Sequence, residues 1–177
     1  IIITNDDTLG VVSETVRKYD SEVIEAEVGE INIVSAMKEH ESVIGGEGSS
    51  GGVILYPSRC RDGLLSLLLV LCRVKEENKS LDKLVSLLPK YYNLRRNIRL
   101  DIEAEQARKK FSSHFLKKGF SISITGSSDG GLKASKDGSY VWCRGSKTEK
   151  GVFRVISDSK DKKIAEELLD EAVSLFC

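Results

Sequence analysis

The chain has 177 residues, of which 40% are hydrophobic and 31% charged, as expected for an ordinary soluble globular protein of one or two domains. Its 27 lysines and arginines balance its 27 aspartates and glutamates, so the composition gives no bulk electrostatic support for nucleic-acid binding. No run approaches about 18 uninterrupted apolar residues, which argues against a membrane span. The richest apolar run, 64–71, predicts a buried helix instead.

The first ninety residues alternate predicted strands with predicted helices. The strands are expected near 1–4, 22–27, 42–44 and 53–56, and the helices near 6–19, 31–39, 62–77 and 80–88. Asp6, Asp7 and Thr8 are N-cap candidates for the first of these helices, and Asp62 is the candidate for the third. This alternation indicates an α/β layer domain.

The pattern changes after Pro89. Strands are expected near 97–102, 120–124, 139–143 and 152–156, helices near 104–118 and 161–176, and turns at 127–130 and 136–138. Strands clustered between two helices predict an α+β domain with both helices on one face of the sheet. We place the domains at 1–90 and 95–177, with a polar linker near 88–96 that lets the domains move separately.

The cysteines are scattered and form no Cys-x-x-Cys pair; they are Cys60, Cys72, Cys143 and Cys177. With only two histidines in the chain, the clustered ligands of a zinc site are missing, and we predict no metal site. We interpret the cysteines as reduced, mostly structural thiols of a cytosolic protein. The chain opens on an apolar strand at Ile1 with no signal peptide, so we expect that an upstream segment is missing.

A glycine-rich loop at 45–52 lies between two predicted strands. Its core, Gly46-Glu47-Gly48-Ser49-Ser50-Gly51, fits the pattern G-x-G-x-x-G, but a strand follows where a dinucleotide-binding fold requires a helix. A carboxylate and two hydroxyls among glycines suit the recognition of a polyol, because Glu47 accepts hydrogen bonds from neighbouring hydroxyls and glycine lets a ligand approach the backbone. The alternative is a long hairpin turn with incidental polar residues.

A second polar loop, Arg144-Gly145-Ser146-Lys147-Thr148-Glu149-Lys150, separates the last two predicted strands. Arg144 can bind a phosphate with two parallel hydrogen bonds, and Ser146 and Thr148 can each donate one more. Backbone amides of a tight turn can add a nest for the same anion. The alternative is a solvated basic turn. Arg154, in the strand beyond, suits either a ligand contact or a salt bridge.

Taken together and in this order, the two loops resemble those of the α-D-phosphohexomutases, the family of the phosphoglucomutases and phosphomannomutases. Gly46-Glu47-Gly48-Ser49 is similar to the sugar-binding motif G-E-x-S of the family's third domain. The segment from Arg144 to Lys150 is similar to the phosphate-binding motif R-P-S-G-T-E-P of its fourth domain. Val28-Gly29-Glu30 and Arg61-Asp62-Gly63 also resemble landmarks of the family.

The resemblance covers essentially the whole chain and implies both its fold and its binding residues. It implies an α/β three-layer domain like the family's domain 3 over 1–90, truncated at its N-terminus, and a TATA-binding-protein-like α+β domain like domain 4 over 95–177. The substrate-binding residues that it implies are Glu47, Ser49, Arg144, Ser146, Lys147 and Thr148.

The chain departs from the family pattern at several positions. Gly145, Lys147 and Lys150 replace a proline, a glycine and a proline of the phosphate loop, although Lys147 adds a positive charge. Glu30 and Gly51 stand where some bacterial members have histidines, so the roles of those histidines are not carried over.

The resemblance also implies what the chain lacks. Family members are much longer, with a catalytic phosphoserine in domain one and Mg²⁺-binding aspartates in domain two, and neither motif occurs here. It therefore implies the C-terminal portion of a cytoplasmic enzyme that interconverts hexose 1-phosphates and hexose 6-phosphates through a bisphosphorylated sugar. This portion would hold no catalytic residue and no metal, since Mg²⁺ is bound outside it. Its partners would be the hexose phosphate and the missing N-terminal half, with no nucleic acid and no membrane.

Three other interpretations of the chain remain open. The parent enzyme can be a phosphoglucosamine mutase, or the chain can be a non-catalytic sugar-phosphate-binding protein or a subunit completed by another chain. An unrelated pair of domains with chance loops is the last alternative.

Overall fold

A computed structural model describes residues 1–48, 51–100, 102–146, 149 and 151–176. The chain divides into two compact units, Ile1–Lys90 and Tyr91–Cys177. Each unit has its own sheet and its own hydrophobic core. In order along the chain, a mixed sheet is therefore followed by an antiparallel one.

The first unit combines a four-stranded sheet with helices. Its strands are β1 (Ile2–Asn5), β2 (Val23–Ala26), β3 (Ile44–Gly46) and β4 (Val53–Leu55). Its helices, within the described residues, are α1 (Gly10–Arg17), α2 (Glu30–Glu39), α3 (Gly63–Glu77) and α4 (Leu81–Ser86). The strand order is β2-β1-β3-β4, in which β1 is parallel to β2 and β3 while β4 is antiparallel to β3.

This strand order sets the positions of the helices and of the loops. The chain moves outward from β1 to β2 and returns across β1 to β3, so right-handed crossovers place α1 and α2 on opposite faces. Ile33 and Met37 of α2 pack on Ile3 and Ile54 in the core. The carboxyl ends of the three parallel strands share one edge, which is where ligands bind in open α/β sheets.

Two helix starts show where the sequence predictions succeeded and failed. The Asp62 carboxylate accepts a hydrogen bond from the Leu65 amide at 2.8 Å, so α3 begins after its predicted cap. The predicted caps at 6–8 are wrong, because α1 has Leu9 at its N-cap with no side-chain hydrogen bond. The residues at 6–8 are instead buried in the loop between β1 and α1.

The apolar run 64–71 is helical, but the prediction that it is buried is wrong. No residue of α3 is buried, and the exposed fraction is 77% for Leu64 and 58% for Leu68. Among the described elements α3 packs mainly on β4, and most of its leucines are exposed. The apolar composition therefore predicted the helix correctly but predicted its burial wrongly.

The second unit is a five-stranded antiparallel sheet with two described helices. Its elements are β5 (Tyr92–Arg99), α5 (Ala104–Lys117), β6 (Ser121–Thr125), β7 (Gly131–Lys136), β8 (Ser139–Gly145), β9 (Val152–Ser159) and α6 (Lys162–Ser174). The strand order is β5-β9-β8-β7-β6. Because β5 starts at Tyr92 and pairs with β9 along its whole length, 92–96 is part of the sheet, where the sequence predicted a linker.

The core of the second unit lies on one face of the sheet. Phe111 and Phe115 of α5 pack in the same cluster as Leu169 of α6 and as Val141 and Cys143 of β8. Both helices therefore cover the same face, as the sequence predicted. The predicted order of an α/β domain followed by an α+β domain is confirmed.

The tie between α5 and α6 gives a first prediction, an acid-dependent loss of stability. Glu171 accepts hydrogen bonds from Lys118 and from His114 Nε2, the latter at 2.6 Å. Burial raises the pKa of Glu171, but its interactions with Lys118 and His114 outweigh burial and lower the pKa below its ordinary value of 4.5. A carboxyl whose pKa is lower in the folded state stabilises the fold above the unfolded pKa, and loses this effect as pH falls through the folded pKa.

We therefore expect Glu171→Gln to lower the free energy of unfolding at pH 7 by about 1 kcal/mol. The difference from the unsubstituted chain should shrink as pH falls below 4.5. Urea unfolding at a series of pH values measures this. Glu167→Gln is the matched control, because Glu167 is exposed and 3.7 Å from exposed Lys163. Equal effects of the two variants at pH 7 would contradict the prediction.

Candidate functional site

Three loops meet at the carboxyl edge of the first sheet. They are 6–9 after β1, 27–29 after β2 and the described residues 47, 48, 51 and 52 after β3. The third loop leads into β4, which is antiparallel to β3. The strand predicted after the loop is therefore present where a dinucleotide-binding fold requires a helix to receive the pyrophosphate.

The Glu47 side chain is fixed by donors from two other parts of the unit. Its Oε1 accepts a hydrogen bond from the Gly29 amide at 3.1 Å, and its Oε2 accepts one from Arg61 Nη1 at 2.9 Å. Only 9% of the side chain is exposed. Gly29 has φ +130°, which residues with a Cβ rarely adopt, so the backbone that presents this amide requires glycine.

Arg61 joins Glu47 to a second carboxylate. Its Nε donates to Glu30 Oε2 at 2.6 Å, and its backbone amide donates to the same oxygen at 3.2 Å. Hydrogen bonds from Arg61 lower the pKa of Glu30, while the hydrogen bond to Glu30 and the charge of Glu47 raise the pKa of Arg61. The three side chains form one charged row, which we call the Glu30–Arg61–Glu47 row.

The backbone next to Glu47 is fastened to the loop after β1. The Gly48 amide lies 3.2 Å from both Asn5 Oδ1 and Thr8 Oγ1, and the Thr8 hydroxyl donates to Asn5 Oδ1. A Cβ at position 48 would lie 3.0 Å from Thr8 Oγ1 and 3.1 Å from its Cα, so glycine permits the close approach. Thr8, which was wrongly predicted as a helix-cap candidate, thus holds the glycine loop together with Asn5.

A cleft of about 620 Å³ opens beside this loop, and its lining includes Thr4, Thr8, Glu47, Gly48 and Gly51. Volumes of this size are typical of small-molecule sites. The predicted residue Ser49 lies outside the described residues. The loop therefore presents a carboxylate of fixed orientation at a cleft large enough for a sugar.

In the second unit, Arg144 lies at the end of β8 with 6% of its surface exposed. Its guanidinium carbon is 5.9 Å from the centroid of the Trp142 ring. Arg144 is directly opposite Arg154 of β9, and opposite residues in an antiparallel pair share one face. Two like charges in that relation repel each other, so an anion bound beside them would be favourable.

The loop between β8 and β9 is closed by its own hydrogen bonds. The Ser146 amide donates to the Val152 carbonyl at 2.7 Å, and the Glu149 amide donates to Ser146 Oγ at 3.1 Å. Arg154 Nη2 lies 3.7 Å from Glu149 Oε1, a salt bridge that the sequence had left as one of two options. The predicted ligands Lys147 and Thr148 lie outside the described residues.

Neither a metal-binding cluster nor a membrane-spanning helix is present in the described part of the chain. No group of three or more His, Cys, Asp or Glu side chains within it is placed to hold a metal ion. No helix within it has the length and apolar character needed to cross a membrane. Cys60 and Cys72 are exposed, whereas Cys143 is buried and burial raises the pKa of its thiol, so only Cys143 has a core position among the described cysteines.

Four residues of the glycine-loop site were missed as site residues from the sequence: Asn5, Thr8, Glu30 and Arg61. Two of them lie in segments that resemble family landmarks, Glu30 after Val28-Gly29 and Arg61 before Asp62. Their signal was weak, because a lone glutamate and a lone arginine 31 residues apart show no pattern that predicts an ion pair.

A family model and several known proteins are similar in sequence to this chain. A family model described as phosphoglucomutase/phosphomannomutase, alpha/beta/alpha domain III, matches residues 1–91. The chain is 29% identical to the phosphoglucosamine mutase of Methanocaldococcus jannaschii over 175 residues, which are 98% of this chain and 38% of that protein. It is 27% identical to the phosphoglucomutase/phosphomannomutase of Thermococcus kodakarensis, with 99% and 38% of the two chains covered. The chain thus spans about two fifths of the length of these relatives.

Solved structures share the fold at lower sequence identity. A phosphoglucomutase/phosphomannomutase family protein from Burkholderia thailandensis superposes with a TM-score of 0.73 at 17% identity, covering 98% of this chain and 36% of that one. The phosphoglucomutase parafusin from Paramecium gives a TM-score of 0.73 at 16% identity, with the same shares covered.

Proposed function

The chain belongs to the phosphoglucomutase/phosphomannomutase family, and from this premise we propose that it is the sugar- and phosphate-recognising portion of a phosphohexomutase. The whole enzyme would interconvert hexose 1-phosphates and hexose 6-phosphates. The observation that carries the proposal is the fixed carboxylate of Glu47 at the cleft, because the neighbouring hydroxyls of a sugar can donate hydrogen bonds to it. Phosphoglucosamine mutase is the second candidate, supported by the relative from Methanocaldococcus jannaschii.

We assign the recognition of sugar hydroxyls to Glu47 and Ser49. A carboxylate has two oxygens and accepts hydrogen bonds from adjacent hydroxyls. The two hydrogen bonds that hold the Glu47 carboxylate support the assignment, since an acceptor that is already ordered loses less conformational entropy when a ligand binds.

We assign phosphate recognition to the loop after β8, with Arg144, Ser146, Lys147 and Thr148 as the ligands. The opposed cations Arg144 and Arg154 support the assignment. An enzyme that must bind a sugar in two opposite orientations can do so if its phosphate-binding site is separate from its hydroxyl-binding site. Binding energy at the distant phosphate then helps to position the reacting end.

We propose that the chemical step uses groups that this chain does not contain. The family uses Mg²⁺, and we place Mg²⁺ and the phosphoserine on polypeptide outside this chain, because the sequence contains neither of the motifs that carry them in the family. The greater length of the relatives is consistent with such additional polypeptide. We also propose a cytoplasmic location, where exposed thiols such as Cys60 and Cys72 stay reduced.

The test is a calorimetric titration of the chain with glucose 6-phosphate, glucosamine 6-phosphate and inorganic phosphate. We expect hexose phosphates to bind more tightly than inorganic phosphate, and we expect no mutase turnover by the chain alone. Equal affinities for all three ligands would count against the proposal, as would turnover that survives removal of contaminating mutase.

Glu47→Ala separates the two recognition tasks. It removes hydrogen bonds between sugar hydroxyls and a charged acceptor, so we expect the affinity for hexose phosphates to fall about tenfold. The affinity for inorganic phosphate should not change, because the loop after β8 is intact. The same titrations measure both, and a parallel fall in phosphate affinity would contradict the assignment.

A further inference from the structure

We propose that Arg61 is a positioning residue that orients Glu47 toward the hydroxyl pair of a hexose, with Glu30 as its anchor. This inference rests on the proposed function, because it takes Glu47 as the acceptor of sugar hydroxyls. Nothing in the sequence motifs assigned a binding role to either Arg61 or Glu30.

The geometry of the guanidinium carries the inference. Its Nε faces Glu30 at 2.6 Å and its Nη1 faces Glu47 at 2.9 Å, so two donors of one planar group point at two carboxylates. The fork of an arginine is rigid, whereas a lysine presents a single point charge on a flexible stem. Only arginine can span both acceptors with fixed directions, and the direction of the Glu47 carboxylate is thereby set.

The position of Glu47 shows why such a positioning residue is needed. Glu47 follows the last residue of β3 and stands between Gly46 and Gly48. Glycine has more backbone conformational freedom than any other residue, so the backbone on both sides of Glu47 restrains it little. The Gly29 amide holds one carboxylate oxygen, and a single hydrogen bond leaves rotation about that contact. Arg61 holds the second oxygen and completes the restraint.

Glu30 fixes Arg61 from the other side. One of its oxygens accepts from both the backbone amide and Nε of Arg61, so it restrains the backbone and the side chain together. Arg61 directly precedes Asp62, the N-cap of α3, and is thus placed by a capped helix start. The Glu30–Arg61–Glu47 row therefore links the start of α2, the start of α3 and the glycine loop.

This arrangement points to a class of ligand. A carboxylate held by both oxygens in a fixed plane favours two hydroxyls on adjacent carbons over a single hydroxyl. The specificity that Arg61 supplies is accordingly for the hydroxyl pair of a hexose and not for its phosphate. A variant at Arg61 should change the affinity for hexose phosphates and leave the affinity for inorganic phosphate as it was.

The experiment is a double-mutant cycle of Arg61→Ala and Glu47→Ala, titrated with glucose 6-phosphate and with inorganic phosphate. A residue that acts only through Glu47 gives non-additive effects. We expect Arg61→Ala alone to weaken glucose 6-phosphate binding about tenfold, and to add nothing in the Glu47→Ala background. Glu30→Gln, which leaves Arg61 in place, should weaken binding by a smaller factor.

Arg59→Ala is the matched control, since Arg59 is an exposed arginine two positions away and should leave every affinity unchanged. Circular dichroism checks that each variant is folded. Arg61→Lys should restore little of the affinity that Arg61→Ala loses. Additive effects of Arg61→Ala and Glu47→Ala would overturn the positioning role, and so would an Arg61→Ala chain that binds glucose 6-phosphate normally. If instead the unsubstituted chain shows no preference for glucose 6-phosphate over inorganic phosphate, the proposed function itself fails.

Discussion

Replacing Arg144 by alanine is expected to lower the affinity of the chain for inorganic phosphate and for hexose phosphates at least tenfold. A hydrogen bond to a charged group contributes roughly 1.5–3 kcal/mol, and an arginine can make two of them to one phosphate. Each 1.4 kcal/mol corresponds to about a tenfold change in affinity. Arg144 is nearly buried beside Trp142, so its charge is screened by solvent less than that of a surface arginine.

Two further variants make this prediction specific. Arg144→Lys keeps the charge but loses the planar fork, and we expect it to recover only part of the affinity. Arg96→Ala removes a half-exposed arginine that pairs with Asp170, and it should leave the affinity unchanged. Calorimetric titration with inorganic phosphate measures all three variants. If Arg96→Ala and Arg144→Ala reduce the affinity equally, the loop is only part of a diffuse positive surface.

The sequence predicted most of the elements because each of these carried its own local signal, whereas β7 was missed. The capped start of α3 at Asp62 and the Asp137-Gly138 turn between β7 and β8 are examples. At this turn Asp137 has φ 50° and Gly138 has φ 76°, as in the two-residue turns that Asp-Gly favours. Signals of this kind lie within a few residues of the feature that they predict.

Features that depend on contacts between distant residues could not be predicted in the same way. Residues 6–8 have the composition of a helix cap, yet the Asp6 amide donates to the Ala26 carbonyl at 3.0 Å and the loop lies buried at the edge of the sheet. Likewise Glu30 and Arg61 meet only because α2 and α3 both start near that edge. The motif residue Glu47 was found from the sequence, but the residues that orient it were not.

The solvent exposure of α3 is another feature that the sequence did not predict. Helical periodicity needs only the sequence of the helix, whereas burial needs the partner that covers it. Leu67 and Leu71 are more than half exposed in the described structure, although both lie in the most apolar run of the chain. The composition of a helix therefore predicts its type more securely than its surroundings.

The largest effect on stability is expected from Phe111→Ala in the second unit. Phe111 is fully buried, with ring centroids 4.7 Å from Phe115 and 6.3 Å from Phe176. Truncating a buried phenylalanine to alanine costs about 3–5 kcal/mol through lost transfer free energy and a residual cavity. Whole domains have only about 5–15 kcal/mol of stability, so this single change removes a large share.

Trp142 makes this loss measurable for the second unit by itself. It is the only tryptophan of the chain and lies in β8, so its fluorescence during guanidinium unfolding reports on this unit. Phe120→Ala is the matched control; Phe120 is only partly buried against the same core, and its truncation should cost clearly less. Equal costs for the two variants would mean that the core is not packed around Phe111.

Phe111→Ala also tests whether the packing of the core affects phosphate binding at Arg144. Cys143 faces the core that contains Phe111, and successive side chains in a strand alternate, so Arg144 faces away from that core. We therefore expect the folded fraction of Phe111→Ala to bind inorganic phosphate with the affinity of the unsubstituted chain, while unfolding at a lower guanidinium concentration. A fall in phosphate affinity under conditions where Trp142 fluorescence shows the unit fully folded would mean that packing beneath β8 and β9 sets the geometry of Arg144.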